Sequence, residues 1–502
     1  MMPAGRRKAL LRDTVAALLP EACAARRVAF RAKLGNSGRS PSRGRHLAQP
    51  HRGMPPWPVQ PKLRGSHAPR RAENRPALAL VLAVPDAGST PVDDTVPVGA
   101  MSRETLASVV RGADLDAVLD QVYAWSRTQD WRGWNKHDGL NSPLLRALLG
   151  WGKWPRMVAI QGVMRFPVNL RPWLLIPKTY NPKGLALFVQ GLLDRHRANP
   201  RPEYLDEARA LLALLEDLRS PGDWAGDCWG YHYPWRDPGF YAPTNTPNAV
   251  VSCFVCEAFL DAYRVIGEAR YLDTVERAIP FFLENLTVLK EQPDELCLGY
   301  MPLPMRMRVM DVSILIGAVI AGWGRLAGDD RWQHQAERLT RYVVNRQTDD
   351  GAWFYTDPPG DSHIRHDNYH TGFILDALVR YMDAAGDRQW QECYDRGLAF
   401  YAEHLFNADG SPRWMSDCDY PHDIHGAAQG VLTFSRHRDS HPGLAERIAA
   451  WTLTHMYHPA GRFYYQRTRH YTKRFTLLRW CNGWMARALA ALRLTSDLAE
   501  PR

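Results

Sequence analysis

Two kinds of apolar pattern alternate along the chain between residues 113 and 492. One kind is amphipathic, as in helices that face solvent on one side, and it covers 114–127, 202–219, 271–289, 331–346, 388–404 and 443–457. The other kind is apolar on nearly every face, which indicates buried helices, and it covers 247–265, 312–326, 371–384, 424–434 and 477–492. A charged outer helix followed by an apolar inner helix, repeated around a closed ring, predicts an (α/α) toroid.

The links between these helices also repeat. Segments that begin with Gly and end with an aromatic residue lead from an inner helix to the next outer helix at 267–271, 328–332 and 386–390, and Gly permits the left-handed helix cap. Two less regular hairpins, with inner segments near 142–149 and 182–193, bring the total to about seven. We therefore predict an all-α fold, an (α/α)6 or (α/α)7 toroid, as one domain over residues 101–497, closed between its first and last hairpins.

A polar or aromatic cluster precedes each of the five apolar segments. The clusters cover 243–248, 310–313, 366–370, 421–425 and 479–484, a spacing of roughly 55 to 65 residues that is typical of a supersecondary repeat. Because each cluster lies at the same end of its helix, we expect all of them to face one mouth of the ring. The repeat thus predicts one shared ligand site.

The net charge of +10 is concentrated near the start of the chain. Residues 1–75 hold 17 Lys and Arg against 3 acids, so the remaining residues together are mildly acidic. The first hundred residues are rich in Pro, Arg and Ser with little hydrophobic periodicity, which predicts a disordered extension, and Met101 is a candidate for the true start. A nucleic-acid partner needs basic residues on the folded surface, so we expect none.

Cysteine and hydropathy patterns bear on the cellular setting. The 8 cysteines are scattered over 502 residues, which argues against a disulfide scaffold and favours reduced thiols and a cytoplasmic location. The sequence has no apolar run of about 18 residues, so we predict no membrane-spanning segment. Oligomeric state stays open.

Five residues at the starts of two neighbouring inner helices are the candidate catalytic groups. They are Asp367, Tyr369 and His370 in one cluster and Asp423 and His425 in the next. Two Asp and His pairs on adjacent helices can supply an acid and a base on opposite sides of a bound sugar. The alternatives are that the aspartates only cap helices and that each histidine has a structural role.

The segment 229–235 has the composition of a sugar platform, because aromatic faces stack on sugar rings. We predict substrate contacts from Trp229, His232 and Trp235 in this segment, although a hydrophobic plug of the mouth would have the same composition. Arg479 suits a carboxylate, and Asp311 is either a substrate contact or a plain helix cap. The other candidate substrate-binding residues are Asp138, Asn141, Asn245, Gln429, Trp480 and Trp484.

Metal and cofactor motifs are missing from the sequence. Histidines and aspartates between 363 and 425 could approach one another, but they lack HExxH or similar ligand spacing. There is no Walker loop, no GxGxxG and no GxSxG elbow, which disfavours ATP, dinucleotide and α/β-hydrolase chemistry. We predict neither a metal nor a cofactor.

The toroid pattern and the aromatic mouth resemble the six-hairpin glycosidase superfamily, with its related polysaccharide lyases and sugar epimerases. The segments 138–143, 229–235, 367–373, 423–430 and 479–484 also look like a poorly characterised family found with exopolysaccharide biosynthesis genes. Members are sometimes labelled delta-aminolevulinic acid dehydratase, but that activity needs a TIM barrel with a Schiff-base lysine, which a helical chain excludes. The resemblance covers about residues 110–495 and implies a saccharide or polysaccharide substrate.

Three function classes follow. The first class is an enzyme that acts on a saccharide. A glycosidase needs two carboxylates beside one bond, and the chain offers Asp367 and Asp423 but no convincing Glu acid. A lyase or epimerase of uronate or amino sugars fits the sequence at least as well, through Tyr369, His370, His425 and Arg479. A non-catalytic sugar-binding accessory protein of exopolysaccharide assembly is the second class. The third is a terpene-cyclase-like toroid, suggested by the Gln-Trp-like segment 346–353 but opposed by the missing DxDD motif.

Overall fold

Six hairpins of helices form a closed double ring in the computed structural model, which describes residues 113–498. The predicted extension 1–100 lies outside the described residues. Each hairpin has an outer helix and an inner helix, and the inner helices are nearly all buried because they are apolar on all faces. The inner helices are α4 (Pro182–Ala198), α6 (Ala249–Ile266), α8 (Met310–Ala327), α10 (Asn368–Ala385), α12 (Ile424–Ser435) and α14 (Trp484–Leu498).

The outer ring also has six helices. The first outer helix of the chain pairs with the last inner helix. The outer helices are α1 (Ala113–Thr128), α5 (Pro202–Asp217), α7 (Ala269–Pro280), α9 (Gln333–Val344), α11 (Gln391–His404) and α13 (Leu444–Met456). Helix α1 packs on α14, and α14 packs on α4, so the two ends of the chain close the ring. This confirms the predicted closure and resolves the hairpin count to six.

The segment near 142–149 is not an inner helix. It forms the short helix α2 (Pro143–Leu149), which is followed by α3 (Lys153–Arg165). No residue of α2 is buried, so this segment lies outside the ring, in the connection between α1 and α4. The expectation that it was a seventh inner segment was wrong, because Leu144 and Leu148 are 45% and 70% exposed and the other two leucines pack only on the small cluster around Leu140.

The predicted glycine links are confirmed. Gly267, Gly328 and Gly386 end the inner helices α6, α8 and α10 in the left-handed conformation, with φ of 80°, 67° and 68°. Helix α8 is also the one described helix that is long and apolar enough to cross a membrane by length and composition, and 78% of it is buried inside the protein.

Short strands form in the loops that lead into the inner helices. They pair as β1 (Trp235–Arg236) with β2 (Tyr241–Ala242), β3 (Val288–Glu291) with β4 (Leu296–Leu298), β5 (Arg308–Val309) with β6 (Thr356–Asp357), and β8 (Tyr457–His458) with β9 (Arg462–Phe463). The strands β7 (His422–Asp423), β10 (Gln466–Arg467) and β11 (Thr472–Lys473) form a sheet in the order β11-β10-β7. These ribbons stiffen the mouth of the toroid, where the candidate residues lie.

Candidate functional site

Two histidines from neighbouring inner helices contact one tyrosine at the mouth. The Tyr369 ring lies 4.2 Å from the His370 ring and 4.4 Å from the His425 ring, centroid to centroid. Both imidazoles also contact Phe373, at 5.8 and 5.5 Å. The clusters that open α10 and α12 therefore meet in one place.

Asp367 orients the first of these histidines. It occupies the cap position of α10, but its side chain makes no capping hydrogen bond, and instead its Oδ2 accepts a hydrogen bond from His370 Nδ1 at 2.7 Å. A carboxylate bound to one ring nitrogen fixes the tautomer of a histidine. His370 is therefore held with Nε2 as its remaining nitrogen for a ligand.

The imidazole of His425 has no hydrogen-bond partner among the described residues. Its side chain is buried, with 1% of the residue exposed, and neither ring nitrogen has a partner among the described residues. Burial holds the pKa of His425 well below its usual value, and the nearby positive charges of Lys183 and Arg479 lower it further. A buried imidazole of this kind is neutral at physiological pH and can accept a proton.

Lys183 lies beneath the histidines in an aromatic cage. Its ammonium group lies 3.7 Å from the ring centroid of Phe254, 4.5 Å from that of Phe373 and 5.2 Å from that of Trp484. Burial holds the pKa of Lys183 well below its usual value. The sequence reasoning missed this residue, although a lysine in the first turn of an otherwise apolar inner helix was a visible signal.

Two more cations, Arg479 and Lys136, line the same mouth. The Arg479 guanidinium lies over the rings of Tyr231 and Trp480, at 5.4 and 5.0 Å, and the Lys136 ammonium lies 4.1 Å from the Trp480 ring. Burial lowers the pKa of Lys136 to about 8. Lys136 was also missed by the sequence reasoning.

These three cations share one property. Within residues 113–498, none of Lys136, Lys183 and Arg479 forms an ion pair with a carboxylate, and Arg479 Nε is buried without a hydrogen-bond partner. Burying a charge without a partner is costly. The arrangement is therefore suited to an anionic ligand that supplies the missing negative charge.

Asp423 is saturated with hydrogen bonds. Its carboxylate accepts from the Trp480 indole at 2.7 Å, from the Gln466 side-chain amide at 2.7 Å and from the backbone N–H of His425 at 2.9 Å. These contacts tie α12, β10 and the segment before α14 together. Asp423 thus holds Trp480 and the start of α12 in position.

Asp311 opens α8 with a carboxylate oxygen that is free. Its Oδ1 is buried and has no hydrogen-bond partner among the described residues. Burial raises the pKa of Asp311, and the positive charges of His370 and Lys183 oppose that rise. Asp311 therefore belongs to the same electrostatic cluster as His370 and Lys183.

Other predicted residues serve mainly to hold the loops. Asp138 is paired with Arg171 at 2.8 Å, and both side chains are 1% exposed. The Trp229 indole, fully buried, donates to the Leu215 carbonyl. Asn141 donates to the carbonyl of His232 at 3.2 Å and so connects the first loop to the aromatic segment.

The remaining predicted residues lie around or below the mouth. Trp235 stacks on His137 with ring centroids 5.3 Å apart, His232 is half-buried and burial lowers its pKa, and Asn245 adopts a left-handed backbone with φ of 64°. Gln429 is deeper in the ring and donates to Asp376 at 2.9 Å. Trp484 forms the floor, 4.4 Å from His425.

Among residues 113–498, no group of three or more His, Cys, Asp or Glu side chains is arranged to hold a metal ion. The carboxylates and imidazoles of the mouth instead face tyrosines and cations. Groups of this kind can transfer protons and bind an anion.

No protein-family model matches the chain, and a comparison with curated proteins gives no significant match. Solved structures do match. Cellobiose 2-epimerase from Bacillus thermoamylovorans has a TM-score of 0.51 and 12% identity over 64% of this chain and 90% of its own. An α-mannanase from Bacteroides thetaiotaomicron has a TM-score of 0.48 and 13% identity, covering 63% of this chain and 86% of its own. An unsaturated glucuronyl hydrolase specific for heparin has a TM-score of 0.48 and 13% identity, covering 75% and 95%.

The similarity to the epimerase is a similarity of fold. The chain shares the α/α toroid architecture of that enzyme. At this level of identity the likeness establishes the architecture, while the chemistry has to be argued from the side chains at the mouth.

Proposed function

We propose that this protein is an enzyme that moves a proton on an anionic sugar, most simply a uronate unit of a glycan, held at the mouth of the toroid. The observation that carries the proposal is His425, a buried neutral imidazole with two unpartnered ring nitrogens beside buried cations that lack carboxylate partners. Buried polar groups in folded proteins normally have partners. A bound substrate would supply the partner to His425 and to the cations together.

The cations would bind the carboxylate of the uronate. Arg479 and Lys136 both lie against Trp480, whose ring edge and face suit a sugar. Neutralising a carboxylate makes the hydrogen on the adjacent carbon more acidic, because the negative charge that develops in the transition state is stabilised by positioned positive groups. This is the step that a lyase and a uronate epimerase share.

The two histidines then divide the proton transfer. In an elimination, His425 takes the proton from the carbon beside the carboxylate, that C–H electron pair forms the new double bond, and the bond to the leaving oxygen breaks. Tyr369 or His370 returns a proton to that oxygen. In an epimerisation, His425 removes the same proton but the bond to the leaving oxygen stays intact, and the resulting carbanion is reprotonated on the opposite face by His370, which Asp367 holds in place.

Hydrolysis is a second candidate, and Asp311 is the observation that favours it. Its buried carboxyl group with a raised pKa has the character of a general acid. A glycosidase also needs a second carboxylate as base or nucleophile, but Asp367 is bound to His370 and Asp423 is bound to three donors. The site therefore fits proton abstraction better.

If the protein were a sugar-binding accessory protein, its ionisable groups would be expected to serve only as helix caps or to lie apart from one another. Asp423 has that character, but Asp367, His370, His425 and Asp311 do not. Work on a polysaccharide during its assembly, in the cytoplasm, is the setting that the sequence predicts, and we include it in the proposal.

The test is isotope incorporation. Uronate-containing polysaccharides and oligosaccharides are incubated with the protein in D2O and analysed by mass spectrometry, by ultraviolet absorbance of unsaturated uronate and by reducing-end assay. We expect either carbon-bound deuterium in the recovered sugar, from epimerisation, or ultraviolet absorbance of unsaturated uronate, from elimination, and loss of that signal in His425→Gln. The matched control is His437→Gln, which removes a half-buried histidine that contacts Tyr394 away from the mouth. New reducing ends with neither carbon-bound deuterium nor the absorbance of unsaturated uronate would support hydrolysis, and binding without turnover would support the accessory protein.

A further inference from the structure

Exposed apolar side chains are concentrated in one segment of the described chain. Eight of the eleven large hydrophobic residues that are exposed there lie between residues 144 and 175. Trp151 and Trp173 are 78% and 74% exposed, and Leu148 is 70% exposed. A cluster of this kind on a protein surface marks an interaction site. We call residues 143–178, which include α2 and α3, the apolar insertion.

The exposure is built into the fold. Ser142 donates to the Leu174 carbonyl at 2.6 Å, and the Trp134 indole donates to the Ile176 carbonyl at 2.9 Å. Between these two anchored carbonyls the turn presents Leu175, at φ of 52°, to solvent. The Leu175 side chain is therefore held outward by hydrogen bonds on either side of it.

The buried ion pair of Asp138 and Arg171 anchors the same turn from within. Helix α3 is also fixed, because Ala159 and Ile160 pack on Leu140. One face of the apolar insertion thus belongs to the protein core, and the opposite face is left without a partner among the described residues.

The charge of the apolar insertion has a single sign. No Asp or Glu occurs between residues 139 and 193. Arg146, Lys153 and Lys178 are exposed on the insertion, and Lys153 lies 5.5 Å from the Trp154 ring. Tryptophan and leucine side by side with Lys and Arg are typical of elements that lie in a membrane interface, and each cation near an anionic bilayer adds about 1 kcal/mol of attraction.

We propose that the apolar insertion docks onto the surface of an anionic lipid bilayer, with Trp151, Trp154 and Trp173 at the level of the headgroups. A bilayer accepts the aliphatic side chains of Leu148 and Val168 as well as the indoles, whereas a polysaccharide is recognised through aromatic faces. The insertion lies beside the mouth, since Lys473 donates to the Met164 carbonyl. Docking would therefore bring the mouth close to the membrane surface.

The experiment is co-sedimentation of the full chain with vesicles of phosphatidylglycerol and phosphatidylcholine, compared with vesicles of phosphatidylcholine alone. We expect binding to the anionic vesicles, at least about tenfold weaker binding of Trp151→Ser/Trp154→Ser/Trp173→Ser, and a loss of similar size in Arg146→Glu/Lys153→Glu. The matched control is Val288→Ser, which removes an exposed apolar side chain outside the insertion. These substitutions are at the surface, so thermal unfolding should be unchanged.

Three results would overturn the proposal. The first is the absence of binding to any vesicle. The second is vesicle binding that survives both sets of substitutions, since another part of the chain, such as the basic residues 1–75, would then carry it. The third is loss of polysaccharide binding in the tryptophan variant without any vesicle binding, which would make the insertion a sugar platform. Because vesicle binding is measured without turnover, failure of the proposed enzymatic function leaves this test intact.

Discussion

The imidazole of His425 is stacked on the phenol ring of Tyr369, with ring centroids 4.4 Å apart and 10° between the planes. The two residues belong to different inner helices, α12 and α10. Their contact shows that the N-terminal ends of these two helices lie side by side. It also gives the histidine a defined orientation without using either ring nitrogen. Ring packing therefore orients this imidazole in place of a hydrogen bond.

Replacing Tyr369 by Phe keeps this stack and removes only the hydroxyl group. If the hydroxyl donates a proton to the leaving oxygen, kcat should fall by roughly 10²- to 10⁴-fold with little change in KM. Tyr369→Leu should lose the stack as well and should also raise KM. Steady-state kinetics on the substrate identified by the deuterium assay would measure both. Full activity in Tyr369→Phe would remove the hydroxyl from the mechanism.

Asp367→Asn tests the orienting role of the carboxylate. The amide retains the size of the side chain but no longer carries the negative charge that fixes Nδ1 of His370, so we expect kcat to fall by about 10²-fold or more while KM stays within a few-fold. The comparison variant is Asp423→Asn, which should disturb Trp480 and Gln466 and so should affect KM and thermal stability. Equal effects of both substitutions on KM alone would contradict this division of roles.

The ring was predictable because an inner helix that is buried on all faces is apolar along its whole length, and this pattern can be read from the sequence. The glycine links were predictable because a left-handed helix cap favours one residue type. The pairing of Asp138 with Arg171 was not, since two residues 33 positions apart give no sign of contact in the sequence. Lys136 and Lys183 were missed for another reason, because a lysine is normally exposed and only the closed ring buries these two, although the position of Lys183 in the first turn of an inner helix was a usable signal.

We expect Lys136 to lower the free energy of unfolding and to strengthen the binding of an anionic ligand. Its pKa is about 8 in the folded protein against 10.5 for the free side chain, so the unfolded chain binds more protons between these values and this group's contribution to stability rises with pH across that window. At pH 7 the buried charge is a cost, and Lys136→Met should raise the free energy of unfolding by about 1–3 kcal/mol. Denaturant unfolding would measure this, with the exposed Lys178→Met as control.

Lys136→Met should weaken substrate binding, although it should make the folded protein more stable. The ammonium group of Lys136 is charged below about pH 8, so wild-type affinity for a uronate ligand should decline as the pH rises through that value. Lys136→Met should bind about tenfold more weakly or worse at pH 7 and should lose that decline. Calorimetric titration between pH 6.5 and 9.5, an interval chosen to bracket that pKa of about 8, would measure both. A wild-type affinity that is flat over this range would exclude Lys136 from anion binding.

Two glycines with the same backbone conformation offer a test of ring closure. Gly461, with φ of 81°, lies between β8 and β9, where an added Cβ atom would be 2.1 Å from the Gln121 carbonyl of α1; Gly267, with φ of 80°, has nothing within 4 Å of that position. Both alanine variants should lose about 1 kcal/mol for the left-handed backbone. Gly461→Ala must also push α1 away from the last hairpin, so we expect a total loss of roughly 3 kcal/mol or more in denaturant unfolding. Equal losses in the two variants would mean that α1 does not pack against this turn, and the proposed closure of the ring between α1 and α14 would then be wrong.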